Sequence, residues 1–493
     1  MNISVYETQR TLLENLAFMG SKGRAEGESR DSFPRTFYPV AEHARAFDPD
    51  VVLVIGPRGA GKSELFRAVI ELQLLPAISR HAKSLRLPSG DPSRTVWVAA
   101  YPVGANFPDA LGLVRFLKEH NTPDSLTELW FTYLVRALWE HIDLQGKTAL
   151  DALNRCQGGD AFANLEAFRI AKDAPLLALD RLDAVLEKDD RRIFVGYDEL
   201  DTLGGADWET MNQSIRGLVG FWAAYTRRWK RIRAKIFLRT DLYQRVGTSG
   251  GADLAKLAAN RAEITWNDRN LYAMLVKRAA NYSPELLDYC ENATIEFTQD
   301  SDLGNIPIIT QARGAKSFVE RIVGQYMGAG VKKGLTYRWL LEHIRDGRGH
   351  ALPRPLVRLI ESASDFQINS AKHARWPKLL NPISLRRALD KVSEEHVQQS
   401  LSEWPWLAGL AKLLRGEQVP WAPNDIERVL DRGWSRIWGA KDIASPPADK
   451  PRNFVDYLVE VGIFRARSDG RLDVPDLFLA GLGLKRKGGV RRR

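Results

Sequence analysis

Residues 51–55 are five consecutive apolar positions, most of them β-branched, the pattern of a strand buried on both faces. After a glycine-rich stretch, Leu65, Phe66, Val69 and Leu72 recur at helical spacing and predict a helix over 64–75. Further apolar runs predict strands at 95–101, after the turn Gly90-Asp91-Pro92, and at 193–197, 235–238 and 264–266. Between them, 105–190 is mostly helical. Leu129, Tyr133, Ala137 and Glu140 share one helical face; Trp130, Leu134 and Leu138 share its neighbour. A long amphipathic helix is predicted over 208–233. Strands separated by helices imply a parallel α/β sheet with crossover helices. Residues 1–50 begin as a helix and become a loop, and beyond about 270 the pattern is almost entirely helical. No repeat of 20–50 residues is visible.

Near the far end, 454–460 predicts a helix with Gly462 as its C-cap. Residues 463–467 and 471–474 then flank Ser468-Asp469-Gly470 and predict a hairpin, with a short helix starting at 475–478. A helix followed by such a hairpin is the end of a winged helix. Three prolines in 440–452 mark a linker or long loop.

The length, 493 residues, implies two to four domains at roughly 100–200 residues each. With 44% hydrophobic and 27% charged residues, the chain can bury a sizeable core without staples. Cys156 and Cys290 stand alone, without a C-x-x-C pattern or a His cluster. That excludes a zinc finger or disulfide framework and fits a reducing, cytoplasmic setting. Residues 1–16 lack the apolar core of a signal peptide, and no run approaches ~18 apolar residues, so no membrane contact is expected. The net charge of +10 favours a polyanionic partner such as DNA.

Gly56-Pro57-Arg58-Gly59-Ala60-Gly61-Lys62-Ser63 matches G-x-x-x-x-G-K-[ST]. Its glycines let backbone N–H groups turn inward around phosphate oxygens, and the following helix points its positive end at them. Lys62 can reach the β- and γ-phosphates, and Ser63 offers a hydroxyl to Mg²⁺. ATP and Mg²⁺ are therefore the expected cofactors, with Glu64 closing the binding stretch. The strand at 193–197 ends in Asp198-Glu199. Asp198 at a strand end can hold the Mg²⁺ shell with Ser63, and Glu199 can act as general base on the attacking water. Asp201 either caps the next element or supports Glu199.

These pieces, in this order, resemble the AAA+ and STAND superfamilies of P-loop ATPases, most of all the origin-recognition and STAND-type branch. They are also similar to bacterial ATPases carrying Tyr-Asp-Glu-Leu-Asp and Phe-Leu-Arg-Thr-Asp, here 197–201 and 237–241. The resemblance implies a parallel-sheet P-loop NTPase core of the ASCE type, then a helical lid and a C-terminal winged helix. The implied division is 1–34 an N-terminal helical extension, 35–270 the core, 271–420 lid and helical region, 421–485 winged helix and 486–493 a basic tail. It makes Thr240 a sensor of the attacking water or γ-phosphate, with Arg239 the alternative as a charge-stabilising group. Arg261 becomes an arginine finger acting in trans, or else a surface arginine, and Arg354 a lid arginine, or else the cap of a helix that Pro355 initiates.

The implied activity is that of an ATP-driven switch that changes assembly or releases a partner protein, with a nucleotide-dependent homo-oligomer among its outputs. The alternative is a nucleic-acid-dependent ATPase. In it Arg465, Arg467 and Arg471 of the wing and the tail from Lys485 would meet DNA phosphates. The basic cluster 227–233 reads as the solvated face of the predicted helix or as a phosphate-binding stripe.

Overall fold

The computed structural model describes residues 3–20, 29–81, 91–102, 106–120, 122–203, 208–247, 257, 259–309, 312–370, 377–438 and 444–488. The chain forms two compact units: residues 39–265, and a second made of 1–38 together with 266–493.

The unit 39–265 is built on a five-stranded sheet of β1 (Leu53–Gly56), β2 (Thr95–Tyr101), β3 (Arg192–Tyr197), β4 (Ile232–Arg239) and β5 (Ala262–Glu263). Every pairing is parallel, in the order β2-β3-β4-β1-β5. β4 therefore stands between the strand that feeds the glycine loop and the strand that ends in Asp198, which is the ASCE arrangement. The register sets Gly56 beside Arg239, Ile236 beside Tyr197, and Tyr197 beside Tyr101, so the chemistry-bearing strand ends share one edge. β3 is buried from Ile193 to Tyr197, as its unbroken apolar run requires.

After the glycine loop the helix Lys62–Phe66 continues as a π-helical turn, Arg67–Glu71, in place of the regular helix expected to 75. This segment lies against β3 so closely that a Cβ on Gly196 would come within 2.1 Å of Ile70 Cδ1 and 3.0 Å of Phe66. Glycine at 196 is a packing requirement. β5 ends before the predicted 264–266, because only Val54 and Ile55 offer it partners.

The predicted helix 208–233 stops at Tyr225. Trp229 stacks on Tyr225 and donates its Nε1–H to Asp180, 3.0 Å away. The carboxylate of Asp183 then accepts the backbone N–H groups of Lys230, Arg231 and Ile232 at 2.7–2.9 Å, which turns the chain into β4. The cluster 227–233 is thus no helix face. Arg228 pairs with Asp180, Lys230 with Glu187 and Arg231 with Asp190.

In the second unit, helix Ile3–Phe18 packs Leu12, Leu13 and Leu16 into one core with helices Asp268–Tyr282 and Pro353–Ile368. The region beyond 270 is less purely helical than its pattern predicts. β6 (Phe297–Asp300) and β7 (Gly304–Pro307) form an antiparallel hairpin, turned through Gly304 at φ +71°. Three helices follow, Leu407–Leu414, Pro423–Trp438 and Pro451–Glu460, then the hairpin of β9 (Arg465–Ala466) antiparallel to β10 (Leu472–Asp473), and the short helix Asp476–Leu479. Gly462 ends the third helix at φ +81°. The start of the basic tail is part of the fold. Its first two residues, β11 (Lys485–Arg486), pair in parallel with β8 (Gln418–Val419), while 489–493 lie outside the described residues. Among the described residues no helix is long and apolar enough to cross a membrane.

Candidate nucleotide site

The glycine loop leaves β1 and turns through Gly59 (φ +82°) and Gly61 (φ +93°), conformations that side chains resist. Gly56 has Ala60 and Ile264 each 3.3 Å from where a Cβ would stand. Lys62 is buried, and its Nζ donates to the carbonyls of Gly56 (2.8 Å) and Pro57 (3.1 Å), holding the ammonium inside the loop. Pro57, Arg58 and Gly59 are half-buried, Ala60 is buried, and Ser63 and Glu64 open the helix half-buried.

Asp198 is buried at the end of β3, and its backbone N–H donates to Tyr101 O at 2.9 Å. Burial pushes its carboxyl above the usual range; the bond from Ser63, the N–H of Glu199 and the charge of Lys62 pull it back. Ser63 and Asp198 thus meet across β4, as a shared metal shell would need. Among the described residues no cluster of three or more His, Cys, Asp or Glu could hold a metal alone. A hydroxyl and one carboxylate fit Mg²⁺, which takes few protein ligands and completes its octahedron with water and phosphate oxygens.

Glu199 follows at φ +52°, in left-handed backbone, half-buried. Asp201, two residues on, pairs with Arg239 at 2.8 Å. Arg239 is buried at the end of β4 and grips Asp241 with Nε (3.1 Å) and Nη2 (2.9 Å). Thr240 stands between them as the first residue of helix Thr240–Gly247. Arg261 precedes β5, with Nε 2.9 Å from Glu263 and its guanidinium 5.6 Å from the Tyr243 ring centre. Arg354 belongs to the other unit, in the first turn of helix Pro353–Ile368. The glycine loop, Asp198, Glu199, Thr240 and Arg261 all belong to the unit 39–265.

Tyr101 beside the acidic turn escapes a reading by motif: its Oη is 2.5 Å from Thr202 Oγ1. Asp241 closes the motif at 237–241, but its role as a buried partner of Arg239 is not legible there. Tyr101 was within reach of the sequence, since it closes the strand that neighbours β3.

The wing arginines are engaged at home. Buried Asp473 has Arg486 at 2.9 Å, Arg465 at 3.4 Å and Arg467 at 3.6 Å, while Arg471 pairs with Asp469 at 2.6 Å. Charge is also unevenly spread. The unit 39–265 holds 30 basic and 29 acidic residues, the other unit 41 and 32.

No protein-family model matches this chain, and no curated protein matches it in sequence. Among solved structures it is similar to the Walker-type ATPase PABY2304 of Pyrococcus abyssi (13% identity, 90% of this chain and 94% of that one, TM-score 0.37). It is also similar to Cdc6p of Pyrobaculum aerophilum (11% identity, 86% and 83%, TM-score 0.29). A third is the ORC2 protein of Aeropyrum pernix in its ADPNP–ADP complexes (12% identity, 93% and 94%, TM-score 0.28). Likeness at these identities and TM-scores bears on neither substrate nor partner.

Proposed function

We propose that this protein is a Mg²⁺-dependent ATP-binding and ATP-hydrolysing switch of AAA+/STAND type. One observation carries the reading: the hydroxyl of Ser63, in the first turn of the helix that follows the glycine loop, hydrogen-bonds Asp198, buried at the end of β3. In this reading the N–H groups of 56–61 and Lys62 bind the phosphates, and Ser63 and Asp198 hold the metal. Mg²⁺, when bound, neutralises charge on the phosphate oxygens. Glu199 takes a proton from water as the water oxygen bonds to the γ-phosphorus; the bond to the β-phosphate oxygen breaks, leaving ADP and phosphate. Thr240 senses the γ-phosphate, Arg261 serves a neighbouring subunit, and Arg354 serves as lid arginine. Nucleotide state then sets assembly or the release of a partner protein, bacterial defence being one setting for such switches.

The test compares ATP binding and turnover in wild type and Glu199→Gln. Binding should persist while turnover falls by about 10²–10⁴-fold. Undiminished turnover in the variant would remove Glu199 as the base. A second reading, a nucleic-acid-dependent ATPase, is favoured by one fact: nearly all the excess positive charge belongs to the unit of 1–38 and 266–493. DNA stimulation that vanishes at high salt would support it.

A further inference from the structure

We propose that Tyr101 and Arg239 are positioning residues that clamp the acidic turn from the two strands flanking β3 and so fix Glu199 for its work as base. This rests on the ATPase reading above. β3 lies between β2 and β4, and each neighbour ends in one side chain that reaches the turn. From β4, Arg239 holds Asp201 at 2.8 Å while Asp241 holds Arg239 from behind. From β2, Tyr101 meets Thr202 at 2.5 Å.

The direction of the second contact follows from proton counting. Thr202 has one hydroxyl hydrogen, and its Oγ1 donates it to the Glu199 carbonyl at 2.8 Å. Tyr101 must then be the donor to Thr202. The relay runs from the tyrosine hydroxyl through the threonine hydroxyl to the backbone of Glu199, which also accepts the Thr202 N–H at 2.9 Å. Burial above all keeps the Tyr101 phenol protonated, with the charges of Glu199 and Asp201 acting the same way. A left-handed glutamate persists only where its surroundings over-determine it, and here both flanking strands contribute. Arg239 also sorts the acids at this edge: Asp201 and Asp241 are bound to it, and Asp198 to Ser63.

The experiment measures ATP affinity, kcat, KM and melting temperature for wild type, Tyr101→Phe, Asp201→Asn, the double variant and Arg239→Lys. Tyr101→Phe deletes one hydroxyl and Asp201→Asn alters a part-exposed side chain, so both should fold. Each should lower kcat about ten-fold or more with KM and affinity close to wild type. The double variant should lose less than the product, because both act on one turn. Arg239→Lys keeps the charge but loses the fork that grips Asp201 and Asp241, so it should lower kcat at least as far as Asp201→Asn. Were both single variants within about two-fold of the wild-type kcat, or were only their melting temperatures lowered, the clamp would be overturned while the ATPase reading stood. A wild type that binds ATP without turnover would overturn both.

Discussion

His43 is a residue whose burial sets a pH limit on the fold. Loss of solvent lowers its pKa from 6.5 to about 4, against the smaller upward pull of its contact with the Thr265 carbonyl and of Glu42. The folded value lies below the unfolded one, so the unfolded chain takes the proton first. Stability from this group is complete above about pH 6.5 and is lost as pH falls towards 4. The loss amounts to about 3 kcal/mol by one-proton linkage. Urea unfolding between pH 7.5 and 4.5 should show that decline, and His43→Gln should flatten it; parallel slopes would acquit the histidine. Single residues also mark what the sequence makes legible. The glycine loop is readable because its backbone conformation demands glycine in a fixed spacing. Glu199 is readable as an acid after an apolar strand, but its left-handed turn and the reach of Tyr101 to Thr202 beside it are not, since the second arises only when β2 and β3 are adjacent and the first is a backbone choice that no local pattern marks.

At the scale of elements, β1 and β3 announce themselves because strands buried on both faces are nearly apolar throughout, whereas β4, with Arg233 and buried Lys235, is legible only in its second half. Boundaries are less visible where a distant side chain sets them. The helix Trp208–Tyr225 ends, and β4 begins, through Asp183, whose carboxylate gathers three backbone N–H groups. Nothing in the local pattern of 208–233 encodes an acid 47–49 residues before the N–H groups it gathers. Asp183→Ala should therefore destabilise the unit 39–265 by about 3 kcal/mol, because the N–H groups lose a charged acceptor in a buried place. Denaturant titration measures it, and a change below about 1 kcal/mol would mean that water replaces the carboxylate there. The hairpin β6–β7 was hidden for a similar reason, since a two-stranded ribbon with partly polar faces leaves only a weak alternation.

For the whole molecule, the feature that matters is that one unit is discontinuous in sequence. Helix Ile3–Phe18 contributes Leu12, Leu13 and fully buried Leu16, followed by Met19, to a core whose other buried residues come from beyond residue 266. Leu16→Ala should cost that unit about 2–5 kcal/mol and leave the unit 39–265 untouched. Two-transition thermal unfolding would register this as one shifted and one stationary step; two shifted steps would mean the units melt together. The same discontinuity has a consequence during synthesis. The first helix leaves the ribosome long before its partners exist. At roughly 5–20 residues per second, making the intervening unit takes on the order of ten to fifty seconds. Throughout that interval Leu12, Leu13 and Leu16 have no core to enter, whereas the inserted unit, once made, holds every residue of its own sheet. The unit 39–265 is thus free to fold before the discontinuous unit is complete, and the apolar face of helix Ile3–Phe18 is what a chaperone would cover meanwhile.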